Sequence, residues 1–251
     1  MIYETMLTSI AKLREKFNGG ISFNGSAMDK PDVRDFLAGN PIVGDFPTKK
    51  SIFTKASELG FRLTKQTEGA CTAYAETYRA SIENTLEHGK VIVFDAEAQW
   101  KLQIETGATR KSGDFIQNAK KQFHKNPQGF PQTEYRRMDG DYKIAKKHII
   151  LDKPINTGVY WRWLPEYRMT NYKYMSNTGL YIPGSGEIIG AHAILLTGFN
   201  GDYFEFIESE VTENKSNKNP AGVFMMHKDY FENIMSKYIS FDATDIIAFE
   251  K

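Results

Sequence analysis

The chain has 251 residues, of which 41% are hydrophobic and 25% are charged, a composition typical of a globular protein. Its 32 basic and 31 acidic residues give a net charge of +1, which indicates neither a nucleic-acid partner nor an anionic membrane. The single cysteine excludes a disulfide within the chain and disfavours a zinc site built on cysteines. The sequence lacks a signal-peptide pattern and an apolar run of membrane-spanning length, so we expect an intracellular, cytoplasmic protein.

Apolar spacing predicts helices along the first 151 residues. An amphipathic helix is predicted over 1–19, and the composition of 20–65, rich in glycine, proline, aspartate and asparagine, predicts mostly loop with short extended pieces. The clearest helix is predicted over 71–88, before Gly89, which is a natural C-cap. Its apolar stripe consists of Tyr74, Tyr78, Ile82 and Leu86. The remaining predicted helices are 96–104, 113–123 and 142–151.

The last hundred residues are rich in β-branched and aromatic residues separated by turn sequences. The predicted strands are 154–163, 190–199, 203–209, 222–226, 238–241 and 245–249. Helices that come first and strands that come later predict an α+β protein with two segregated lobes.

The lone cysteine, Cys71, follows the small residues Gly69 and Ala70 and begins the clearest predicted helix. A thiol at a helix N-terminus faces unpaired backbone N–H groups and the positive end of the helix dipole, which favour the thiolate. The small residues leave room for a substrate backbone, and the N–H of Cys71 is suited to a developing oxyanion. We therefore interpret Cys71 as a nucleophile; the alternative is a small buried hydrophobic residue.

A nucleophilic thiolate needs a proton-accepting partner, which is usually a histidine. His192 fits best, because Ala191 and Ala193 flank it at the start of the apolar strand predicted over 190–199. That pattern predicts an imidazole at a cleft edge, on a strand fixed in the core. The other histidines lie at a helix end, in lysine-rich stretches or beside large residues: His88, His124, His148 and His227.

Two blocks together resemble the papain-like cysteine peptidases, most closely the short bacterial and phage forms. Residues 69–75 (GACTAYA) resemble the nucleophile segment of that family, and residues 190–199 (GAHAILLTGF) resemble its histidine block. The cysteine and histidine lie 121 positions apart, close to the roughly 130–150 typical of the family. Weaker likenesses occur in the family's order at 30–35, 144–159, 203–207 and 222–224.

The resemblance spans about 27–250 and implies a papain-like two-lobed fold with the active-site cleft between the lobes. It implies a helical lobe, mainly 60–140, that carries the cysteine, and a β-barrel-like lobe, mainly 141–250, that carries the histidine. The first 26 residues are then an N-terminal helix and lead-in.

The resemblance also implies the chemistry and the substrate contacts. The Cys71 thiolate would attack a peptide carbonyl, and His192 would protonate the leaving amine and then activate water, with no metal or cofactor. Substrate contacts are implied at Gly69 and Ala191 and in the Gly113-Asp114 pair, where relatives pair their backbone with substrate.

The sequence departs from the family pattern at two positions of the catalytic machinery. Glu208 replaces the asparagine that orients the imidazole, and Glu210 replaces the neighbouring tryptophan. A carboxylate can accept the imidazole N–H, so Glu208 is predicted to orient His192; the alternative is an exposed glutamate at a strand end. The oxyanion glutamine is predicted to be Gln66, after a one-residue deletion, whereas an ungapped alignment puts Lys65 there.

Two functions follow as hypotheses. The first is a cysteine peptidase, or a related thiol hydrolase, that acts on peptide, isopeptide or amide bonds of a peptide or protein substrate. The second is a catalytically impaired papain-like module with a binding or structural role in a larger assembly, such as a phage particle, in which case it is virion-associated. The altered catalytic positions motivate the second hypothesis.

Overall fold

The computed structural model describes residues 26–27, 36–37, 47–67, 69–110, 113–123, 125–126, 132–138, 142–162, 180–181, 188–211, 220–230 and 240–246. Within these ranges, the backbone alone is described at 26–27, 36–37, 132–138, 159–162, 180–181, 188–190, 230 and 240–246. The helix predicted over 1–19 and His124 lie outside the described residues.

The helices agree closely with the predictions in their type and position. They are α1 (Ile52–Glu58), α2 (Cys71–His88), α3 (Ala96–Glu105), α4 (Ile116–Phe123), α5 (Tyr142–Ile150) and the single turn α6 (Lys228–Tyr230). The predicted bounds of α2 are confirmed, and it ends at Gly89, whose φ of 62° is the left-handed conformation that glycine adopts freely. The helix predicted from 113 begins at Ile116 instead, because a short strand precedes it.

The strands are β1 (Ser26–Ala27), β2 (Phe36–Leu37), β3 (Lys49–Ser51), β4 (Asp114–Phe115), β5 (Gln132–Met138), β6 (Ile155–Arg162), β7 (Leu180–Tyr181), β8 (Ile188–Asn200), β9 (Tyr203–Ile207), β10 (Val223–His227) and β11 (Ser240–Ile246). Most of them form one sheet in the order β2-β5-β11-β6-β8-β9-β10-β7, with β3 paired to β8. Its pairs are antiparallel except β2–β5 and β7–β10. Strands β1 and β4 form a separate parallel pair.

Two predictions of local structure are wrong. The loop predicted over 20–65 contains α1, which begins after Ser51, whose hydroxyl accepts a hydrogen bond from the Thr54 N–H at 3.0 Å. The two strands predicted at 238–241 and 245–249 are one continuous strand, β11, across the intervening residues. Pairing with β5 and β6 maintains the extended conformation there, although the local sequence predicts a break.

The central helix α2 packs against β8, and this packing brings the two lobes together. The predicted apolar stripe is confirmed: Tyr74, Tyr78 and Ile82 are buried in the main hydrophobic core. Residues 194–196 of β8 lie in the same core. Residues 71–85 of α2 are buried on the other faces too, so the polar residues of this stretch also lie inside the protein, whereas Glu87 and His88 in the last turn are exposed.

Strand β8 is held between β6 and β9 by antiparallel pairing on both sides. His192 lies opposite Val159 and Ala193 lies opposite Gly158 of β6. A long paired strand whose side chains are buried from 192 to 199 gives a histidine at its beginning a fixed position.

No helix among the described residues combines the length and the apolar character needed to cross a bilayer.

Candidate active site

Cys71 is the first residue of α2, as predicted, and its side chain has no exposed surface. The N-cap residue, Ala70, has no side-chain hydrogen bond to the helix, so it leaves the N-terminal N–H groups to other partners. The N–H of Ala193 in β8 donates to Cys71 Sγ at 3.3 Å. The sulfur is therefore fixed directly against the strand that carries His192.

His192 is fully buried between the thiol and a carboxylate, with its Nε2 3.5 Å from Glu208 Oε2. Burial by itself lowers the pKa of His192. The interactions with Cys71 and Glu208 outweigh burial and raise this pKa from 6.5 to about 10. The imidazole thus holds a proton at neutral pH because an acceptor lies on each side of it.

The order of these three side chains gives each ring nitrogen a separate partner. Since Nε2 faces Glu208, Nδ1 is the nitrogen left to face the thiol of Cys71. An imidazolium beside a sulfur stabilises the thiolate, and a carboxylate behind the ring fixes its orientation and its tautomer. This geometry suits nucleophilic attack by sulfur followed by proton transfer from nitrogen.

Glu208 is 3% exposed, so it is not an exposed glutamate at a strand end. Its backbone N–H donates to the Gly222 carbonyl at 3.0 Å, which fixes the loop after β9 against the start of β10. Its Oε2 also accepts a hydrogen bond from the Glu210 N–H. The carboxylate that faces His192 is therefore held by its own loop.

The side chain of Gln66 is buried, whereas that of its neighbour Lys65 is exposed. The Gln66 N–H donates to the Ser209 carbonyl at 2.8 Å, and the Ser209 hydroxyl donates to Gln66 Oε1. Gln66 Nε2 donates to Glu210 Oε1 at 2.9 Å. The segment before Cys71 is thus joined to the loop that holds Glu208, a link that sequence analysis missed because its partners lie more than 140 positions apart.

Gly113 and Asp114 lie at an edge of the helical part, but each has a protein partner. Gly113, with a φ of 67°, exchanges backbone hydrogen bonds with Thr109. The Asp114 side chain is 5% exposed and accepts hydrogen bonds from Gln103 and from Asn118, the latter at 2.7 Å. The backbone edge at this point is β4, which pairs with β1.

Burial raises the pKa of the Asp114 carboxyl, against the opposing effect of its hydrogen bonds. Gln103 links this carboxyl to the helix start, because its Nε2 also donates to Thr72 Oγ1 at 2.9 Å. Thr72, the residue after Cys71, and the β4 edge are therefore fixed to each other. Sequence analysis missed Gln103, whose neighbours gave no sign of this contact.

Access to the site is restricted in this structure. Cys71 and His192 have no exposed surface, while Gly69 and Ala191 are partly exposed. The backbone of β1 pairs with β4 and also contacts β8, so it bridges the two lobes beside the site. Among the described residues, no group of three or more His, Cys, Asp or Glu side chains is arranged to hold a metal.

Comparisons with known proteins agree at the level of structure. No protein-family model matches the chain. A search of curated proteins also finds no match. Xylellain, a cysteine protease from Xylella fastidiosa, is similar with a TM-score of 0.69 and 18% identity, over 90% of this chain and 98% of the other.

Two further solved structures are similar at lower scores. A procathepsin B from Trypanosoma congolense has a TM-score of 0.62 and 14% identity, over 88% of this chain and 85% of the other. The digestive procathepsin L 3 of Tenebrio molitor has a TM-score of 0.56 and 13% identity, over 97% and 90%. With its α+β architecture and a cysteine-led helix packed on a histidine-bearing strand, the chain has the papain-like cysteine protease fold.

Proposed function

We propose that the protein is a cysteine peptidase that hydrolyses peptide bonds, or related isopeptide or amide bonds, through Cys71 and His192. One observation carries the proposal: the buried imidazole of His192 lies between the thiol and Glu208, and both raise its pKa. A buried imidazolium is costly unless hydrogen-bond acceptors hold it, and groups with pKa values perturbed in this way cluster at functional sites.

In the first half-reaction, the Cys71 thiolate attacks the carbonyl carbon and the carbonyl π electrons move to oxygen. The resulting oxyanion is stabilised by the Cys71 backbone N–H and the Gln66 amide. When the tetrahedral intermediate collapses, the C–N bond breaks and the His192 imidazolium gives its proton to the leaving amine. The product is an acyl-enzyme with a thioester at Cys71.

In the second half-reaction, the now neutral imidazole of His192 takes a proton from water, whose oxygen attacks the thioester. Collapse of the second tetrahedral intermediate breaks the C–S bond, releases the carboxylic acid and restores the thiolate beside the imidazolium. One water is consumed for each bond cleaved. Glu208 accepts the hydrogen bond of the imidazole and stabilises the imidazolium whenever it forms.

The test is a digestion of a peptide library by the full chain under reducing conditions, with new peptide termini identified by mass spectrometry. We expect cleavage by the wild type and none by Cys71→Ala, which removes the sulfur with little change in volume. Because the pair is buried, slow opening would appear as a lag in the progress curve. A wild type that produces no more termini than Cys71→Ala contradicts the proposal.

The full burial of Cys71 and His192 also supports a second candidate, the catalytically impaired papain-like module that binds within a larger assembly. In that case the wild type cleaves no peptide and the Cys71→Ala variant keeps its partner. The digestion therefore separates the two candidates, because the peptidase requires a difference between wild type and variant and the binding module requires none.

A further inference from the structure

The amide of Gln66 has a protein partner at each end. Its Oε1 accepts from the Ser209 hydroxyl, and its Nε2 donates to Glu210 Oε1 at 2.9 Å. Gln66 and Ser209 are only 8% and 2% exposed, so protein groups rather than bulk water determine how this amide is oriented.

The two partners have unequal control over the orientation. A side-chain amide has two states of nearly equal shape, related by a flip that exchanges its nitrogen and its oxygen. A serine hydroxyl both donates and accepts, so Ser209 can satisfy either state. An ionised carboxylate only accepts, so Glu210 can satisfy only the state in which Gln66 nitrogen faces it. Of these two partners, Glu210 is therefore the one that selects a single state.

We propose that Glu210 is a positioning residue that keeps the Gln66 amide in the state required of an oxyanion donor. This inference deepens the proposed function and rests on it. An amide nitrogen carries two hydrogens: one is held by Glu210, and the other is the one directed to the oxyanion in the reaction. In the flipped state the amide oxygen would replace that donor and repel the developing negative charge.

The backbone around Glu210 is built to hold it in place. Its N–H donates to Glu208 Oε2, the same atom that lies 3.5 Å from His192 Nε2. The next residue, Val211, has a φ of 50°, which is rare and strained for a β-branched residue. Such strain persists only where surrounding contacts hold it. One loop thus positions both the imidazole, through Glu208, and the amide donor, through Glu210.

Three substitutions separate positioning from simple support of the loop. Glu210→Gln keeps size and hydrogen bonding but can donate as well as accept, so both states of Gln66 become available. Glu210→Lys can only donate, so it favours the flipped state. Gln66→Ala removes the donor altogether. Glu105→Gln, at an exposed glutamate on α3, makes the same chemical change elsewhere and is the matched control.

The kinetic readout is kcat and KM on the best-cleaved peptide of the library. Loss of one oxyanion donor lowers kcat by about 10²–10³-fold, and we expect this for Gln66→Ala and Glu210→Lys with KM nearly unchanged. Glu210→Gln should fall between these and the wild type. The double variant Glu210→Lys/Gln66→Ala should be no slower than Gln66→Ala, because both act through one donor. The inference is overturned if the losses of the two single variants add in the double variant. It is also overturned if Glu210→Gln has the kcat of the wild type.

A second readout is independent of turnover: the ¹⁵N NMR signals of the Gln66 side-chain amide, assigned by their loss in Gln66→Ala. We expect slowly exchanging amide protons in the wild type and in Glu105→Gln, and faster exchange or a second set of signals in Glu210→Gln. Unchanged signals in Glu210→Gln overturn the inference even in an inactive protein. If instead these signals change while the wild type cleaves nothing, Glu210 does orient the Gln66 amide, but the peptidase proposal fails and with it the oxyanion role of that amide.

Discussion

Two groups of buried ionisable side chains lie along helix α2, and they differ in how their charges are balanced. At its start, Cys71 and Glu208 lie on either side of a single imidazole, His192. Further along the helix, Glu76 and Arg79 form a cluster of ion pairs and hydrogen bonds with side chains of neighbouring elements. The first group can exchange a proton among its members, and the second group is a set of ion pairs between acidic and basic side chains.

The second group is matched charge for charge. Arg79 pairs with Glu76 and, at 2.8 Å, with Glu83, and Lys120 Nζ from α4 lies 3.2 Å from Glu76 Oε2. Asn156 from β6 also donates to Glu76 Oε2. Burial raises the pKa of Glu83, although Arg79 opposes this effect.

Pairing of buried charges gives rigidity, whereas a shared proton gives reactivity. Glu76 therefore ties the central helix to both lobes, and His192 uses the alignment that results. Substitutions in the two groups should affect different properties of the protein.

The largest effect is expected from His192→Ala, which removes the proton donor and acceptor of the proposed reaction. General acid–base catalysis contributes about 10²–10⁴-fold, so kcat/KM should fall by at least this range. The measurement is the initial rate on a single peptide. A loss smaller than tenfold, in a variant with wild-type circular dichroism, would show that His192 has no part in the chemistry.

The next largest effect is expected from Glu76→Gln, which leaves Arg79 and Lys120 without their shared carboxylate. Breaking a buried ion pair from one side costs about 3–5 kcal/mol, to be measured by urea unfolding. The control is Asp152→Asn, which removes the partly exposed ion pairs of Asp152 with Lys50 and Lys55, and about 0.2–1 kcal/mol is expected for each pair. Equal losses in the two variants would contradict the role assigned to the cluster.

Gly222→Ala tests how the loop that holds Glu208 is supported. A Cβ there would meet Leu63 Cδ1 at 2.9 Å and the Glu208 carbonyl at 3.1 Å, at a φ of +76°. The left-handed conformation costs about 1–2 kcal/mol for a non-glycine residue, and displacement of Glu208 should also lower kcat. Gly201→Ala, at a φ of +60° with nothing within 4 Å, should lower stability alone. Unchanged kcat in Gly222→Ala would dissociate this loop from catalysis.

The smallest effect is a change in pH dependence in Glu208→Gln. Because the folded pKa of His192 is raised to about 10, its protonation stabilises the fold fully below the unfolded value of about 6.5. That stabilisation is lost as the pH rises from about 6.5 to 10. Without the Glu208 charge the folded pKa falls, so the loss should be complete at a lower pH. The measurement is urea unfolding of the wild type and of Glu208→Gln at a series of pH values. If Glu208 had no such effect, the two proteins would lose stability over the same pH range.

The sequence was sufficient for those parts of the site that depend on short segments. Small residues before Cys71 and a long apolar stripe after it predicted α2 to the residue, and the apolar run after His192 predicted the core of β8. Local signals of this kind work where backbone preference and burial agree. The short α1 was missed because its start depends on the Ser51 hydroxyl amid residues typical of loops.

Contacts between distant segments were beyond prediction from local pattern. Nothing near Gln66 indicates Ser209 or Glu210, and nothing near Glu76 indicates Lys120 or Asn156. Glu76 lies outside the apolar stripe of α2, and a glutamate in such a position is ordinarily exposed. The fold covers that face instead, and only charge pairing across elements makes its burial tolerable.

The most direct test of the central claim is an NMR titration of the His192 imidazole in the wild type and in Cys71→Ala, with the signal assigned by its absence in His192→Ala. If the sulfur and the imidazole share a charge pair, His192 remains protonated well above neutral pH in the wild type, and its midpoint falls in Cys71→Ala. A midpoint near 6.5 in the wild type, or the same midpoint in both proteins, would contradict the account.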